Sequence, residues 1–460
     1  MSMISNALSG TLAAQAALAV TSQNIANLQT PGYTRQGILL YAAAPTRTGP
    51  MGSGDGVQTP QLIRFADAYK SQQLWESAST QGRHAASQGY LTQLERVMGD
   101  DASTINGGLD DFFASLNAAS VEPTSAPLRQ QVIASAEALT VRFNSMNQVL
   151  ANQRFAITQQ RAAALDQVNV LSAEIATLNG KIAGAGATGA SPSALIDERD
   201  NRIDALAALA GLNVVDQPDG SRSVSLKNGT PLVVGTTAAK LSPAPPLSDG
   251  TPALSVQFAK ETFILASRGL GGQLGGLDDY QAQTLQPLTQ SISDMAAGLT
   301  TLFNTQLTAG YALDGSAGKP LFQLDTSSVS ALLTITPGIE AKDLGFSSDP
   351  ALPGNSTNLQ ALIGLKGQPV PVATLGTVLL GDAFTQLVSG VGTASQQNTA
   401  ALNVADTVRS YAKANWASTS GVTEDEEAVN LVQYQQMYQA NMKVFSTANI
   451  LFDATLAILR

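Results

Sequence analysis

The stretch DEEAVNLVQYQQMYQANMKVFSTANILFDATLAILR, residues 425–460, carries the strongest periodic signal in the chain. Leu431, Tyr438, Met442, Phe445, Phe452, Leu456 and Leu459 recur at steps of three, four and seven, the spacing of one face of an α-helix. Tyr434, Met437, Val444, Ala448, Leu451 and Ile458 form a second row beside the first. Two adjacent rows make a stripe too wide for one helix to hide, so this helix requires a partner along its length. The beginning of the sequence supplies one. Met1, Ile4, Leu8, Leu18 and Ile25 follow similar spacing, interrupted by Thr11, Gln15 and Ser22, in an Ala-rich run with no Pro before Pro31. The expectation is a pair of N- and C-terminal helices that still presents Gln, Asn, Ser, Thr and Ala outward, a surface suited to packing against copies of itself.

The totals narrow the classes. A chain of 460 residues with 44% hydrophobic content can bury several real cores. Charged residues make up 13%, about half the roughly 25% usual in soluble domains, and the net charge is −10. Weak self-repulsion of this kind favours polymers. An acidic chain without a Lys/Arg-rich run offers no footprint for nucleic acid or for an anionic membrane surface, so neither is expected as a partner. There is no cysteine and one histidine, His84, which removes disulfides, thiolate nucleophiles and Cys/His zinc sites. It also leaves a Ser-His-Asp triad no imidazole beyond His84. No metal, cofactor or catalytic centre is expected. The first positive side chain is Arg35, so a basic signal-peptide region is lacking, and no apolar run approaches about 18 residues, so no membrane span is expected.

Working inward, Asn24-Ile25-Ala26-Asn27 ends the first helix, and Pro31 with Gly32 suits the two central positions of a type II turn. Residues 36–60 read as an extended Gly/Pro/Ala/Thr-rich connector. Helical spacing resumes at Phe65, Tyr69, Trp75, Tyr90, Leu94 and Val97, breaks at Asn106-Gly107-Gly108, and continues through Leu109, Phe112, Phe113 and Leu116. From Pro127 a long coiled-coil helix runs through Val132, Leu139, Phe143, Leu150 and Ile157 to Val168, Ile175 and Ile182, with one slip between Ile157 and Val168. A Gly/Ala loop from Gly184 to Ser191 precedes a helix over 195–209. Alternation replaces heptads at Val224 and Leu226, around the Asn228-Gly229 hairpin turn, and at Leu254, Val256 and Phe258, with a Pro-rich loop from Pro243 to Pro252 between strands. Helix returns over 277–307 and from Ala383 to Trp416, separated by short strands and turns over 320–382.

The fold class is therefore mainly α with an inserted β domain, α+β, in discontinuous nested layers. Residues 1–35 with 425–460 form the paired terminal helices. Residues 36–210 with 267–424 form a helical rod-like body, and 211–266 form a small β domain.

Ala7-Leu8-Ser9-Gly10, the run from Ala16 to Asn27, and Thr30-Pro31-Gly32-Tyr33 together resemble the N-terminal signature of bacterial flagellar rod, hook and hook-associated axial proteins. Further matches resemble the hook-associated members at the hook–filament junction. They are Leu195-Ile196-Asp197-Glu198-Arg199-Asp200, the Asp219-Gly220 turn, Gly271 to Leu277, Phe303-Asn304, Gly310-Tyr311 and Asp314-Gly315. The most specific is Ser420-Gly421-Val422 with Asp425-Glu426-Glu427-Ala428, Asn430-Leu431 and the Gln433-Tyr434-Gln435-Gln436 helix. The chain is short for that family, as though an outer surface domain were reduced. The resemblance implies a non-enzymatic structural subunit, exported by the flagellar type III apparatus without a cleaved signal and located outside the cell in the flagellum. It implies burial of the terminal helices in a tubular core, with Ile4, Leu8, Leu18, Ile25, Leu431, Tyr438, Met442, Phe445, Phe452, Leu456 and Leu459 as assembly interface. Implied partners are copies of itself in a ring, the hook protein, a second hook–filament junction protein, and an export chaperone on the C-terminal helix. Another axial subunit, or a secreted coiled-coil adhesin or effector, are the competing readings.

Two other features invite chemistry and fail. Gly269 to Gly276 looks like a dinucleotide-binding turn, but Leu274 occupies a required Gly position and Asp278-Asp279 would put negative charge where phosphate must sit, so a flexible hinge is the better reading. Asp197, Asp200 and Asp204 share a helical face, yet Arg199 and Arg202 interleave with them, which favours a solvated or salt-bridged face over a metal site. His84 reads as a surface side chain. Asp425, Glu426 and Glu427 complement the N-terminus of the last helix, and as a hypothesis they set the register where that helix leaves the body.

Overall fold

The computed structural model describes residues 2–44, 54–100, 104–189, 191–248 and 252–458. Met1, Leu459, and parts of the 36–60 connector and the 243–252 loop therefore lie outside the described residues. The chain begins with α1 (Ser2–Ala26), then an antiparallel pair, β1 (Gln36–Ala42) and β2 (Val57–Arg64). Helices α2 (Ala68–Met98), α3 (Ile105–Val121), α4 (Ala126–Thr188) and α5 (Ser193–Leu209) follow. Strands β3 (Leu212–Asp216), β4 (Arg222–Leu226), β5 (Pro231–Val234) and β6 (Thr237–Ala238) make one antiparallel sheet in sequence order. A three-stranded sheet of β7 (Lys240–Ala244), β8 (Ala253–Phe258) and β9 (Glu261–Ala266) stands beside it. Next come α6 (Gly272–Tyr280), a π-helical turn (Gln281–Leu285) and α7 (Gln286–Ala309). Hairpins β10 (Phe322–Leu324) with β11 (Leu333–Ile335), and β12 (Val370–Val372) with β13 (Gly376–Val378), flank α8 (Thr357–Gly364). The chain closes with α9 (Leu380–Ser420) and α10 (Glu424–Ile458). The fold is mainly helical with small antiparallel sheets, and α1 lies along α10 as α2 lies along α9.

Several local expectations change. The 36–60 connector contributes a β-ladder, with Gln36 opposite Arg64 and Ala42 opposite Val57. α4 continues through Gly184 and Gly186 to Thr188, and Gly189 at φ 73° ends it in a left-handed cap. Gly107 and Gly108 do not break a helix but sit in the first turn of α3, where Gly108 lets the Leu139 and Arg142 side chains of α4 approach. The expected absence of a membrane-length segment is also corrected. By length and composition alone Met3–Ala26 is long and apolar enough for a membrane span, with a mean hydropathy of 1.3, because Ala raises the average while Gln and Thr do not cancel it. Core helices and signal sequences meet the same criterion, and α1 packs one face on α10.

Two hydrophobic cores hold the body, and they do not divide where helix gives way to strand. The first gathers Leu109, Phe112 and Phe113 of α3, Leu139 and Phe143 of α4, Leu299 and Phe303 of α7, and Phe384 of α9. The second joins Trp75 of α2, Val168 and Ile175 of α4, Leu206 of α5, and Val224, Leu232 and Val256 from the sheets. α4, about 95 Å long at 1.5 Å per residue, serves both. On α4 the boundary falls between Ile157 and Ala164, at the slip in the heptads, and polar groups occupy it. Tyr90 Oη donates to Gln160 (2.8 Å), Tyr280 Oη donates to Gln153 (2.5 Å), and Arg161 stands 3.4 Å from the buried Asp278. Burial pushes the Asp278 carboxyl up to about 6 despite Arg161. His84 belongs to this belt, its Nδ1 2.8 Å from Asn398 Oδ1 of α9, and so is half-buried instead of a free surface side chain.

Within residues 269–276, Gly272 and Gly276 have a packing role. A Cβ at Gly276 would lie 2.0 Å from the Arg83 carbonyl, so its absence is what lets α6 press onto α2.

Candidate assembly face and its anchorage to the body

α1 and α10 run antiparallel: Gly10 faces Asn441, while Thr21 borders the same cavity as Glu427. The seam of α1 consists of Ala7, Gly10, Ala14, Ala17, Thr21 and Asn24, all buried and spaced three or four apart. Small side chains allow the two backbones close approach, and a Cβ at Gly10 would stand 2.4 Å from Asn441 Oδ1. Opposite them lie Glu427, Leu431, Tyr434, Tyr438, Asn441 and Ala448, buried or half-buried.

This arrangement sorts the residues named from the sequence. Ile4, Leu18, Leu431, Tyr438 and Phe445 are half-buried along the pair. Leu8, Ile25, Met442, Phe452 and Leu456 are exposed, as are Met3, Leu12, Ile450 and Leu451. The wide stripe is thus only partly used by the partner helix. By the register at Gly10 and Asn441, Ala448 sits near the first turn of α1, and the α10 residues after it run past that turn. The seam residues were missed by a search for large apolar side chains; the Ala/Gly spacing within α1 was the available signal.

At its other end the pair is tied to the body. The turn places Gly32 at φ 73°, with Tyr33 N donating to Thr30 O at 3.2 Å. Asn24 then reads the backbone of the returning strand: its Nδ2 donates to Gln36 O (2.9 Å), and its Oδ1 accepts from Gln36 N (3.1 Å) and Tyr33 Oη (2.9 Å). Burial, with Asp197 and Glu427 nearby, pushes the Tyr33 phenol up to about 12.

α5 supplies the fastening. Asp197 accepts from Thr34 N (3.0 Å) and from Arg64 Nη2 (2.6 Å) and Nε (2.9 Å). Asp200 pairs with Arg64 at 3.1 Å and with Arg222 of β4, and Asp204 pairs with Arg409 of α9. Burial lowers Arg199 to about 10, which leaves it charged at neutral pH, and its Nη1 donates to Gly220 O at 2.8 Å. Arg35 N donates to Ser420 O (2.7 Å), and the Arg35 guanidinium pairs with Glu426 while lying 4.5 Å over the Phe65 ring. Asp197, Asp200 and Asp204 of α5 thus each meet an arginine from another element, while Glu198 pairs with Arg202 within the helix, and no cluster of three metal-ligating side chains occurs among the described residues. Four segments distant in sequence converge on about two turns of helix: the exit of α1, the end of β2, β4 and α9. What this geometry provides is mechanical: a helix pair with an outward apolar face, held rigidly at its base.

Comparison with known proteins agrees with that description. The model of the flagellar hook-associated protein FlgK helical domain matches residues 91–322. The flagellar basal body rod FlgEFG protein C-terminal model matches residues 415–458, and the flagella basal body rod protein model matches residues 4–34. Flagellar hook-associated protein 1 of Salmonella typhimurium is 29% identical over 555 residues, covering 99% of this chain and 100% of that protein, so it carries residues without a counterpart here. The Escherichia coli protein of that name is 27% identical over 547 residues with the same coverage, and that of Bacillus subtilis 24% over 485 residues, 96% and 95% of the two chains. The flagellar hook junction protein FlgK from Burkholderia pseudomallei superposes with a TM-score of 0.52 at 27% identity, over 55% of this chain and 47% of that one. With half of its length matched by the helical-domain model, and both terminal helices by the axial-protein models, the chain belongs to the flagellar hook-associated protein FlgK family.

Proposed function

We propose that the chain is a structural subunit of the hook–filament junction, and that its α1/α10 pair is the part that packs into the axial core. The family is structural and non-enzymatic, and its members are axial components of the flagellum that assemble with other axial proteins. The observation that carries the assembly role is the inside-out division of the terminal pair. Ala and Gly are buried at its seam, whereas Leu8, Leu12, Ile450, Leu451, Phe452 and Leu456 face outward. Each such side chain covered by a neighbour would contribute about 1.5–3 kcal/mol before the ordering cost. The two body cores are closed without these helices and would set the lateral contacts that differ from those of hook and filament.

Copies of the chain would form a ring between the hook protein and a second junction protein. The overhanging end of α10 would serve an export chaperone before secretion through the flagellar type III apparatus. Leu456→Asp tests the core reading. The variant should be exported and keep a folded body yet fail to enter the junction, so that filaments do not grow; normal junctions would refute it. Light proteolysis of the free subunit with mass mapping of the surviving fragment gives a second check, since the reading expects cleavage within the terminal helices and a resistant body.

A further inference from the structure

Glu426 has a partner in Arg35, but the adjacent carboxylate does not. Glu427 is 2% exposed, and its side chain forms no hydrogen bond or ion pair among the described residues. It borders a cavity of about 240 Å³ at the foot of the helix pair, together with Thr21, Arg35, Gln36, Asn430 and Tyr434. The Arg35 guanidinium that lines the same cavity is already paired with Glu426. A carboxylate withdrawn from water needs a counter-charge, and the α10 N-terminus meets only part of that need. The cavity has room for a lysine ammonium group and water.

Lys443 is the complementary case. It is exposed, it is the one cation in the described parts of α1 and α10, and it has no anionic partner among the described residues. It lies roughly 24 Å farther along α10 and about 160° around it, so one chain cannot bring the two together. We propose that Lys443 of a second copy enters this cavity and pairs with Glu427, setting neighbouring terminal helices parallel with a stagger of roughly 24 Å. The pairing rests on the assembly reading above. It adds what apolar stripes lack, since sliding one stripe along another by a turn costs little, whereas a buried charge accepts its partner at one register.

The absence of native cysteine makes the test direct. Chains carrying Glu427→Cys and chains carrying Lys443→Cys are co-expressed, and the assembled flagella are treated with a short bis-maleimide. A second pair, Asn430→Cys with Ser446→Cys, has the same spacing and leaves both charged residues in place. Cross-linked mixed dimers in assembled junctions, absent from dilute subunits, are expected. Junctions that form without these cross-links overturn the proposal, and so do cross-links in the dilute subunit. Glu427→Gln should leave the melting temperature of the free subunit unchanged or raised, while lowering incorporation about tenfold or more. A lowered melting temperature would instead make Glu427 a structural residue of the subunit. If Leu456→Asp blocks incorporation while the cross-links are missing, the register fails and the core reading stands; if Leu456→Asp also assembles normally, both fall.

Discussion

Around Phe303 the chain packs ring on ring. Phe112, Phe113 and Phe322 lie 5.0, 5.6 and 6.1 Å from it between centroids, and Phe303 is 1% exposed. Between α1 and α10 the opposite choice is made: Ala7, Gly10, Ala14 and Ala17 are buried, and Leu8, Leu12, Ile450, Leu451, Phe452 and Leu456 of the same helices are left in water. Burial stabilises in proportion to apolar area, so the body is self-sufficient while the terminal pair holds much of its burial in reserve. The difference separates a folding unit from an assembling one, and it can be broken from either side.

Phe303→Ala removes the centre of the ring cluster and should cost about 3–5 kcal/mol, seen as a lower midpoint in denaturant unfolding of the free subunit. Next in size is the buried carboxyl of the polar belt. The folded state holds the Asp278 proton up to about pH 6 and an unfolded aspartate only to about 3.8. Protonation therefore favours folding across that window, and this share of stability, at most about 3 kcal/mol, is lost as pH rises through 6. Asp278→Asn should flatten that dependence when unfolding is followed between pH 4 and 8.

Gly10→Val should push α10 away through Asn441 and cost about 1–3 kcal/mol, confined to the pair. Hydrogen exchange would show α1 losing protection while α7 keeps it. The smallest effect on the subunit belongs to Leu456→Asp. Because Leu456 is already 47% exposed, the free protein should change by no more than about 0.5 kcal/mol. A larger loss would mean that the exposed stripe is structural within one chain, and the contrast between the two regions would narrow.

Much of the architecture was legible in the sequence because helices announce themselves by local period. The paired termini, the long helix from Pro127 and the Asn228-Gly229 hairpin, where Gly229 takes φ 88°, all rest on residues a few positions apart. The heptad slip after Ile157 was visible too, but its meaning was not. Only in space does it become the polar boundary between two cores, because Asp278 and Tyr280 reach it from more than a hundred residues away. The same limit applied to α5: its carboxylates could be recognised as paired, but Arg64, Arg222 and Arg409 could not be named as their partners.

By itself, then, the sequence determined the long helical segments, that both ends are amphipathic beyond what one helix can hide, and that no cysteine is available for disulfide or thiolate chemistry, since each follows from composition or short-range spacing. The tertiary structure decided which face of each terminal helix is used. Close backbone approach favoured Ala and Gly at the seam over Leu8 and Leu456, and that preference depends on the shape of the partner surface, which no periodicity within one helix encodes.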